Sequence, residues 1–280
     1  MRRLVMAVLA TALAAGVAQA QWGDILRKID PNKVKAGAKV LQQSTRDFTE
    51  DEEADIGRMV SARILKTYPL STNDKLQRYV TLVGNTVAAY SSRPELEWHF
   101  AVIDAPFVNA FSAPGGFIFI TTGSLKEIHS EAELASVLGH EIAHSTQKHI
   151  LKEIKRANVI SSARDLAATT NQGSNWLNND LGRRIGDLAY EKLFTTGLSR
   201  RDELEADKVG AELADAAGYN NASFVTFLEG LKKLEGSTQM RQLTATHPAP
   251  GDRITALKPT IADHGAVLGE RFASWMREGR

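Results

Sequence analysis

The pattern His-Glu-x-x-His at residues 140–144 constrains this chain more than any other feature of its sequence. On an α-helix, residues four positions apart share one face, which brings His140 and His144 about 6 Å apart along the axis. Two imidazoles at this separation hold one zinc ion while Glu141 reaches the water on the metal. The pattern also arises by chance in roughly one such chain in a hundred, so it needs support from its surroundings.

The residues around the motif predict a buried helix. Ser130 followed by Glu133 forms a capping box, which marks a helix N-terminus. His149 comes nine residues after His140, about 180° around the same helix, so we expect it at the surface or in a layer behind the metal-facing side. The apolar residues that predict burial of the helix are Ala132, Leu134, Ala135, Val137, Leu138, Ile142 and Ala143.

The first 20 residues predict a signal peptide that is removed after export. Arg2 and Arg3 form a positive start, residues 4–17 an apolar run, and residues 18–20 (Ala-Gln-Ala) a small-x-small cleavage site. An N-terminal membrane anchor is the alternative, but the apolar run is short for a membrane span. We therefore expect a periplasmic protein.

Composition excludes several classes of function. Removing Arg2 and Arg3 from the 34 basic residues leaves 32 against 33 acidic residues, so the mature chain has no basic excess for binding nucleic acid. The chain has no cysteine, which excludes disulfides and a lipidated N-terminal cysteine. After the signal peptide no stretch reaches 18 apolar residues, so we expect no integral membrane segment.

Hydrophobic periodicity predicts a mostly helical α+β fold. Thr49 and Glu52 form a second capping box, and apolar residues follow it with a 3.6-residue period. Residues 72–90 predict a further helix. From Pro94 the period changes to two, which predicts a small sheet directly before the His-Glu-x-x-His helix. The predicted strands are residues 98–103, 107–111 and 117–122.

A polar segment lies between the two regions that carry candidate metal ligands. Residues 169–175 break residues 152–198 into two predicted helices. Because of its position, this segment is either a lid over the site or an ordinary helical connection. The sequence leaves both alternatives open.

A second helix supplies candidates for a third ligand. This helix is predicted from Ser199 to about Ala217, and Glu203 and Asp207 share one of its faces at i and i+4. Glu203 would complete a set of two histidines and one carboxylate with an open position for water. Glu205 points elsewhere and is expected in solvent. Spacing alone does not separate Glu203 from the other carboxylates.

Four motifs follow one another along the chain. They are the strand and turn 109–116, His140-Glu141-Ile142-Ala143-His144, Glu203-x-x-x-Asp207 with Ala206 before the aspartate, and His247-Pro248 followed by Arg253-Ile254. With these motifs the chain resembles zinc metallopeptidase family forty-eight of the gluzincins over about residues 49–257. The resemblance implies a minimal zincin-like metalloprotease domain at 49–258. We expect an N-terminal arm at 21–48 before it and a helical tail at 259–280 after it.

The resemblance implies a role for each residue of the helical motifs. His140, His144 and Glu203 become the ligands of one zinc ion per chain, and Glu141 becomes the general base. Asp207 would accept the outer N–H of a ligating histidine.

The other two motifs carry further candidates for catalysis and binding. In some family members the histidine equivalent to His247 is a fourth zinc ligand that displaces water and keeps the enzyme latent. Arg253 either steadies the oxyanion or pairs with a carboxylate, and both alternatives stay open. Residues Asn109 and Ala110 would bind substrate backbone as an added edge strand. The turn residues Gly115 and Gly116 complete the candidate substrate-binding set.

These inferences predict a zinc metalloendopeptidase whose partners are polypeptides, such as misfolded envelope or outer-membrane proteins. The biological part of this expectation rests on analogy. The alternative is a latent zinc protein, blocked by His247, that acts as an assembly or chaperone-like binding factor. A non-haem iron oxygenase also binds its metal with two histidines and a carboxylate, but Glu141 would have no chemical role in such a site. Fewer residues follow His247 than the 34 of a tetratricopeptide repeat, so we expect no repeat domain.

Overall fold

The computed structural model describes residues 47–157 and 180–278. Four predictions fall partly or wholly outside these residues. They are the signal peptide at 1–20, the N-terminal arm up to residue 46, residues 158–179 of the candidate lid, which include the break at 169–175, and the last two residues of the C-terminal tail.

A three-stranded sheet lies at the centre of the described chain. Its strands are β1 (His99–Ile103), β2 (Ala110–Ala113) and β3 (Phe117–Thr121). The order is β1-β3-β2, with β1 parallel and β2 antiparallel to the central strand. Paired residues include His99 with Phe117 and Ala110 with Ile120.

The second strand begins later than its alternating sequence predicted. We expected a strand from Phe107, and that start is wrong by three residues. The Thr121 hydroxyl donates to the carbonyl oxygen of Phe107 at 2.6 Å. This bond ties residue 107 to the end of β3 through a side chain and keeps it out of the ladder.

Both faces of the sheet are covered, because every residue of the three strands is buried. Side chains alternate between the faces. One face joins a core that includes Phe100, Val102, Ile118 and Ile120. The other face joins a second core that includes Ala101, Ile103, Phe111, Phe117 and Phe119.

Helices surround the sheet and confirm the predicted mostly helical α+β class. A π-helical turn (Lys192–Thr196) extends the helix Asp180–Glu191, and a short 3₁₀ turn (Lys258–Thr260) follows the helix Pro250–Leu257. The α-helices are α1 (Glu50–Thr67), α2 (Asp74–Ala88), α3 (Thr122–Glu127), α4 (Glu131–Thr146), α5 (His149–Arg156), α6 (Asp180–Glu191), α7 (Arg200–Ala216), α8 (Ala222–Lys233), α9 (Arg241–Thr246), α10 (Pro250–Leu257) and α11 (Gly269–Glu278).

Helix α4 carries the His-Glu-x-x-His motif and is buried from Glu131 to Ser145. The Ser130 hydroxyl caps it by accepting from the backbone N–H of Glu133 at 3.1 Å. In a capping box the Glu133 carboxylate would accept from the backbone N–H of Ser130. Here it accepts from the backbone N–H of His129 instead, one residue earlier. Arg271 of α11 binds Glu131 at the start of α4, which attaches the C-terminal helix to it.

The helix ends sooner than the sequence suggested. It stops at Thr146, and Lys148 adopts a left-handed conformation with φ of 55° and ψ of 39°. A new helix, α5, starts at His149. The expectation of one continuous helix through His149 is therefore wrong, and the turn at Lys148 sends the His149 side chain inward, where it is fully buried.

Two glycines let α4 and α7 pack with their backbones in contact. A Cβ atom on Gly139 would lie 2.6 Å from the carbonyl oxygen of Gly210, and one on Gly210 would lie 2.5 Å from the backbone nitrogen of His140. No side chain fits at such distances. The contact holds the helix that carries Glu203 and Asp207 against the helix that carries the histidines.

We predict that Gly210→Ala lowers the free energy of unfolding by about 1–3 kcal/mol, because the added methyl group forces the two helices apart. Urea unfolding followed by circular dichroism measures the change. Gly230→Ala is the matched control, since a Cβ there meets no atom within 4 Å. It should leave stability unchanged or raise it by up to about 1 kcal/mol. Equal effects of the two substitutions would contradict the role of the contact.

Candidate metal centre

Four side chains from three parts of the fold meet beside the buried face of α4. They are His140 and His144 of α4, Glu203 of α7 and His247, which follows α9 directly, and their ligand atoms all lie within 4.8 Å of one another. The Nε2 atoms of His140 and His144 are 3.0 Å apart. The Glu203 carboxylate lies 3.7 Å from His140 Nε2 and 3.6 Å from His144 Nε2. His247 Nε2 lies 3.7 Å from Glu203 Oε2.

These distances fit a tetrahedral metal ion. Ligands at about 2.1 Å from zinc place their donor atoms about 3.4 Å apart, which is close to the spacing in this cluster. Glu203 Oε2 is buried and has no hydrogen-bond partner among the described residues. Burial raises the pKa of Glu203 well above its ordinary value. A cation held by the cluster would offset the cost of burying this carboxylate.

The histidines of the cluster are held in the form that binds metal. Burial lowers the pKa of His140, His144 and His247 below the ordinary value of an imidazole. Neutral imidazoles keep a lone pair for a metal ion at neutral pH.

A buried ion pair supports His140 from behind. Asp207 Oδ1 lies 2.9 Å from His140 Nδ1. Arg253 donates from Nε to Asp207 Oδ2 at 2.9 Å and from Nη2 to Asp207 Oδ1 at 2.6 Å. Burial alone would raise the pKa of Asp207, but the Arg253 guanidinium outweighs it and holds that pKa below the ordinary value. The sequence left two alternatives for Arg253, and in the structure this residue pairs with a carboxylate, that of Asp207.

Glu141 lies at the junction of two small cavities next to the cluster. It is buried, and burial raises its pKa to about 8. Asn109, Ala110, His140 and His247 line one cavity of about 30 Å³ with it, and Glu203 lines the other, of about 20 Å³. Each cavity holds little more than a water molecule.

Comparison with known proteins gives the family. The sequence model described as Peptidase family M48 matches residues 74–261. The chain belongs to this family. It is therefore related to metallopeptidases, and the predicted family is confirmed.

Named relatives of the M48 chain are similar over most of its length. It is 26% identical to the β-barrel assembly-enhancing protease of Yersinia pestis over 216 residues, which cover 73% of this chain and 43% of that protein. It is 32% identical to the mitochondrial metalloendopeptidase OMA1 of Schizosaccharomyces pombe over 217 residues, covering 77% of this chain and 60% of the relative. It is 33% identical to the mitochondrial metalloendopeptidase OMA1 of Arabidopsis thaliana over 192 residues, which cover 69% of this chain and 37% of that protein. The chain thus spans less than two-thirds of the length of these relatives.

The fold of this M48 chain brings most of the sequence-predicted residues to one place. His140, His144, Glu203 and His247 form the cluster, with Asp207 and Arg253 behind His140. Glu141, Asn109 and Ala110 line the adjoining cavities. Two predicted substrate-binding residues are placed elsewhere: Gly115 and Gly116 form the β2–β3 turn with φ of 75° and 83°, and Gly115 packs on Ala54 of α1.

Of the two places expected for His149, the surface and a layer behind the metal-facing side, the structure has the second, but the contact with His144 was not predicted. His149 Nδ1 lies 2.8 Å from His144 Nδ1, so His149 contacts a residue of the cluster directly. Burial lowers the pKa of His149 to about 4. A helical wheel cannot predict this contact, because the contact depends on the left-handed turn at Lys148.

Within the described ranges, no helix of this M48 chain is long and apolar enough to cross a membrane.

We predict that Arg253→Met destabilises the protein by about 3–5 kcal/mol, because it leaves the buried Asp207 carboxylate without its partner. Chemical unfolding measures the loss. The control, Arg200→Met, breaks an exposed ion pair between the same two helices, from Arg200 Nη1 to Asp252 Oδ2 at 2.9 Å. It should change stability by less than about 1 kcal/mol. A small loss in Arg253→Met would show that the buried pair contributes little.

Proposed function

We propose that this chain is a zinc metalloendopeptidase that hydrolyses peptide bonds of extended or misfolded envelope proteins. The observation that carries the proposal is the convergence of His140, His144 and Glu203 with Glu141 beside them. Membership of family M48 supports the reaction class.

In this proposal His140, His144 and Glu203 hold one zinc ion per chain. When bound, zinc supplies a Lewis acid that acidifies water and polarises a carbonyl group. Two histidines and one glutamate are a common ligand set of hydrolytic zinc enzymes, which leave one position open to water. Asp207 accepts the Nδ1–H of His140 and so keeps Nε2 of that ring turned into the cluster. Arg253 acts through Asp207, as a positioning residue.

Glu141 is the general base of the proposed reaction. Its carboxylate takes a proton from the attacking water and later gives that proton to the leaving amine. Burial raises the pKa of Glu141 to about 8, and a cation held by the neighbouring cluster would lower it, which favours the carboxylate form that accepts a proton. Burial also excludes bulk water from competing for the proton.

Asn109 and Ala110 orient the substrate. Asn109 Nδ2 is buried without a hydrogen-bond partner among the described residues, so it is available to a peptide carbonyl group. Ala110 begins β2, which lies at one edge of the sheet and offers backbone groups to an extended peptide. The π-helical turn lies beside this site: Lys192 and Leu193 line the second cavity, and the ring centroid of Phe194 lies 4.4 Å from that of Phe111.

The proposed substrates and location rest on two observations. Relatives named β-barrel assembly-enhancing proteases suggest envelope proteins as substrates. Residues 1–20 have the pattern of a cleaved signal peptide, which supports a periplasmic location. N-terminal sequencing of the protein from a periplasmic fraction tests the location, and a chain that still carries Arg2 and Arg3 would contradict it.

We predict that Glu141→Gln lowers the rate of casein cleavage by a factor on the order of 10²–10⁴, because the amide cannot accept the proton. Zinc content, measured by atomic emission on the same samples, should stay the same. Glu212→Gln, on the exposed side of α7, is the control and should cleave casein as the wild type does. If the zinc-loaded wild type leaves casein intact, the proposed reaction is wrong.

The position of His247 favours a second candidate function. Its Nε2 lies within the ligand cluster and 3.7 Å from Glu203 Oε2, where it would occupy the fourth position of a tetrahedral ion. A zinc site filled in this way is latent. Such a protein would act as an assembly or chaperone-like binding factor for outer-membrane proteins until His247 moves away.

For the latent alternative we predict that His247→Ala raises casein cleavage at least several-fold over the wild type, because it opens a position for water. The gain should disappear in the double variant with Glu141→Gln. His264→Ala removes an exposed histidine paired with Asp215 and serves as the control. Unchanged or lower cleavage in His247→Ala would exclude latency through this residue.

A further inference from the structure

His144 differs from His140 in the partner of its outer nitrogen. The outer nitrogen of His140 faces a carboxylate, Asp207. The outer nitrogen of His144, Nδ1, instead faces another imidazole, His149, at 2.8 Å between the two Nδ1 atoms. The two rings are nearly perpendicular, with an interplanar angle of 73° and centroids 5.0 Å apart.

The proton positions in this pair follow from the orientation of His144. Its Nε2 points into the cluster, 3.0 Å from His140 Nε2 and 3.6 Å from Glu203. A neutral imidazole that offers Nε2 to a metal carries its proton on Nδ1. That Nδ1–H needs an acceptor, and His149 Nδ1 is the atom within hydrogen-bond distance. His149 must then carry its own proton on Nε2.

We propose that His149 is a positioning residue that accepts the Nδ1–H of His144 and thereby holds Nε2 of that ring toward the metal. The proposal rests on the zinc site proposed above. It assigns to His149 on α5 the role that Asp207 has for His140. Hydrogen bonds to the outer nitrogen of a ligating histidine fix its tautomer and orientation.

The far side of His149 agrees with this assignment. His149 Nε2 is buried without a hydrogen-bond partner in the described chain, and two acidic oxygens lie just beyond that distance. These are Glu205 Oε2 at 3.7 Å and Asp202 Oδ1 at 4.0 Å. A negative environment favours the tautomer with a proton on Nε2, which leaves Nδ1 free to accept from His144.

The same three residues, His149, Asp202 and Glu205, also have the composition of a second cation site. The proton count argues against it. If a cation bound His149 Nε2, the neutral ring would carry its proton on Nδ1 instead. Nδ1 could then no longer accept the hydrogen bond that His144 donates. The Arg156 guanidinium, 3.1 Å from Asp202 Oδ2, already supplies positive charge there. One zinc ion per chain is therefore expected.

The position of His149 depends on the break between α4 and α5. The left-handed Lys148 ends the helix that carries the ligands and starts a new one only five residues after His144. Lys148 is attached to α1 through its Nζ, 3.1 Å from Glu53 Oε2. On a continuous helix, His149 would point away from the metal face.

The test compares His149→Asn and His149→Leu in the Glu141→Gln background, where turnover plays no part. Zinc affinity is measured by competition with a chromophoric chelator. In His149→Leu the Nδ1–H of His144 loses its acceptor, and we expect zinc binding about 10- to 100-fold weaker. Asparagine places an amide oxygen near the position of Nδ1, so His149→Asn should bind zinc nearly as the parent does. Equal affinities in both variants, weakened or not, would overturn the proposal.

A second measurement needs no substitution at His149 and so does not depend on how a variant folds. Long-range ¹H–¹⁵N correlation spectra of the zinc-loaded Glu141→Gln protein report which ring nitrogen of each histidine carries the proton. We expect protons on His144 Nδ1 and His149 Nε2. A proton on His149 Nδ1, or a second zinc ion that His149→Leu removes, would refute the assignment.

Failure of this role is distinguishable from failure of the proposed function. If the parent binds no zinc, the zinc site and the role of His149 are both wrong. If the parent binds zinc and the wild type cleaves casein, but His149→Leu binds zinc equally well, only the role of His149 is wrong.

Discussion

The backbone contact between α4 and α7 is the constraint on which the rest of the centre depends. Gly139 and Gly210 let the two helices approach until their main chains touch. Only at this separation do the histidines of one helix and the carboxylates of the other come within 4 Å. The sheet and its two apolar cores hold α4 in place, but the glycine contact determines how closely its ligands meet their partners.

This close packing creates an electrostatic problem. Three buried carboxyl groups, Glu141, Glu203 and Asp207, lie near one buried guanidinium, Arg253. Arg253 pairs with Asp207 and lowers its pKa, whereas burial raises the pKa of the other two. Buried charges without partners are expensive. A divalent cation between the histidines and Glu203 would supply the missing positive charge, so the same arrangement that is costly for the protein alone suits a metal site.

Much of the centre was accessible from the sequence because it obeys helical periodicity. The i, i+4 spacing of His140 and His144 put both rings on one face, and the same spacing paired Glu203 with Asp207. Ser130, Thr49 and Ser199 cap their helices as their positions indicated. Local hydrogen bonds of this kind depend on a few neighbouring residues, so they can be read from short stretches. Choosing Glu203 over other carboxylates needed the family resemblance, since spacing alone did not decide it.

The sequence by itself determined the family, the mostly helical α+β class and which residues were candidates for a metal site. The tertiary structure decided how they meet. It joined Arg253 to Asp207 across 46 residues, and it moved the start of β2 to Ala110 through a hydroxyl of Thr121. It also turned His149 inward at Lys148, against a helical wheel that placed it on the opposite face. These features depend on contacts between distant segments and on a single left-handed residue, and neither is expressed in the period of the local sequence.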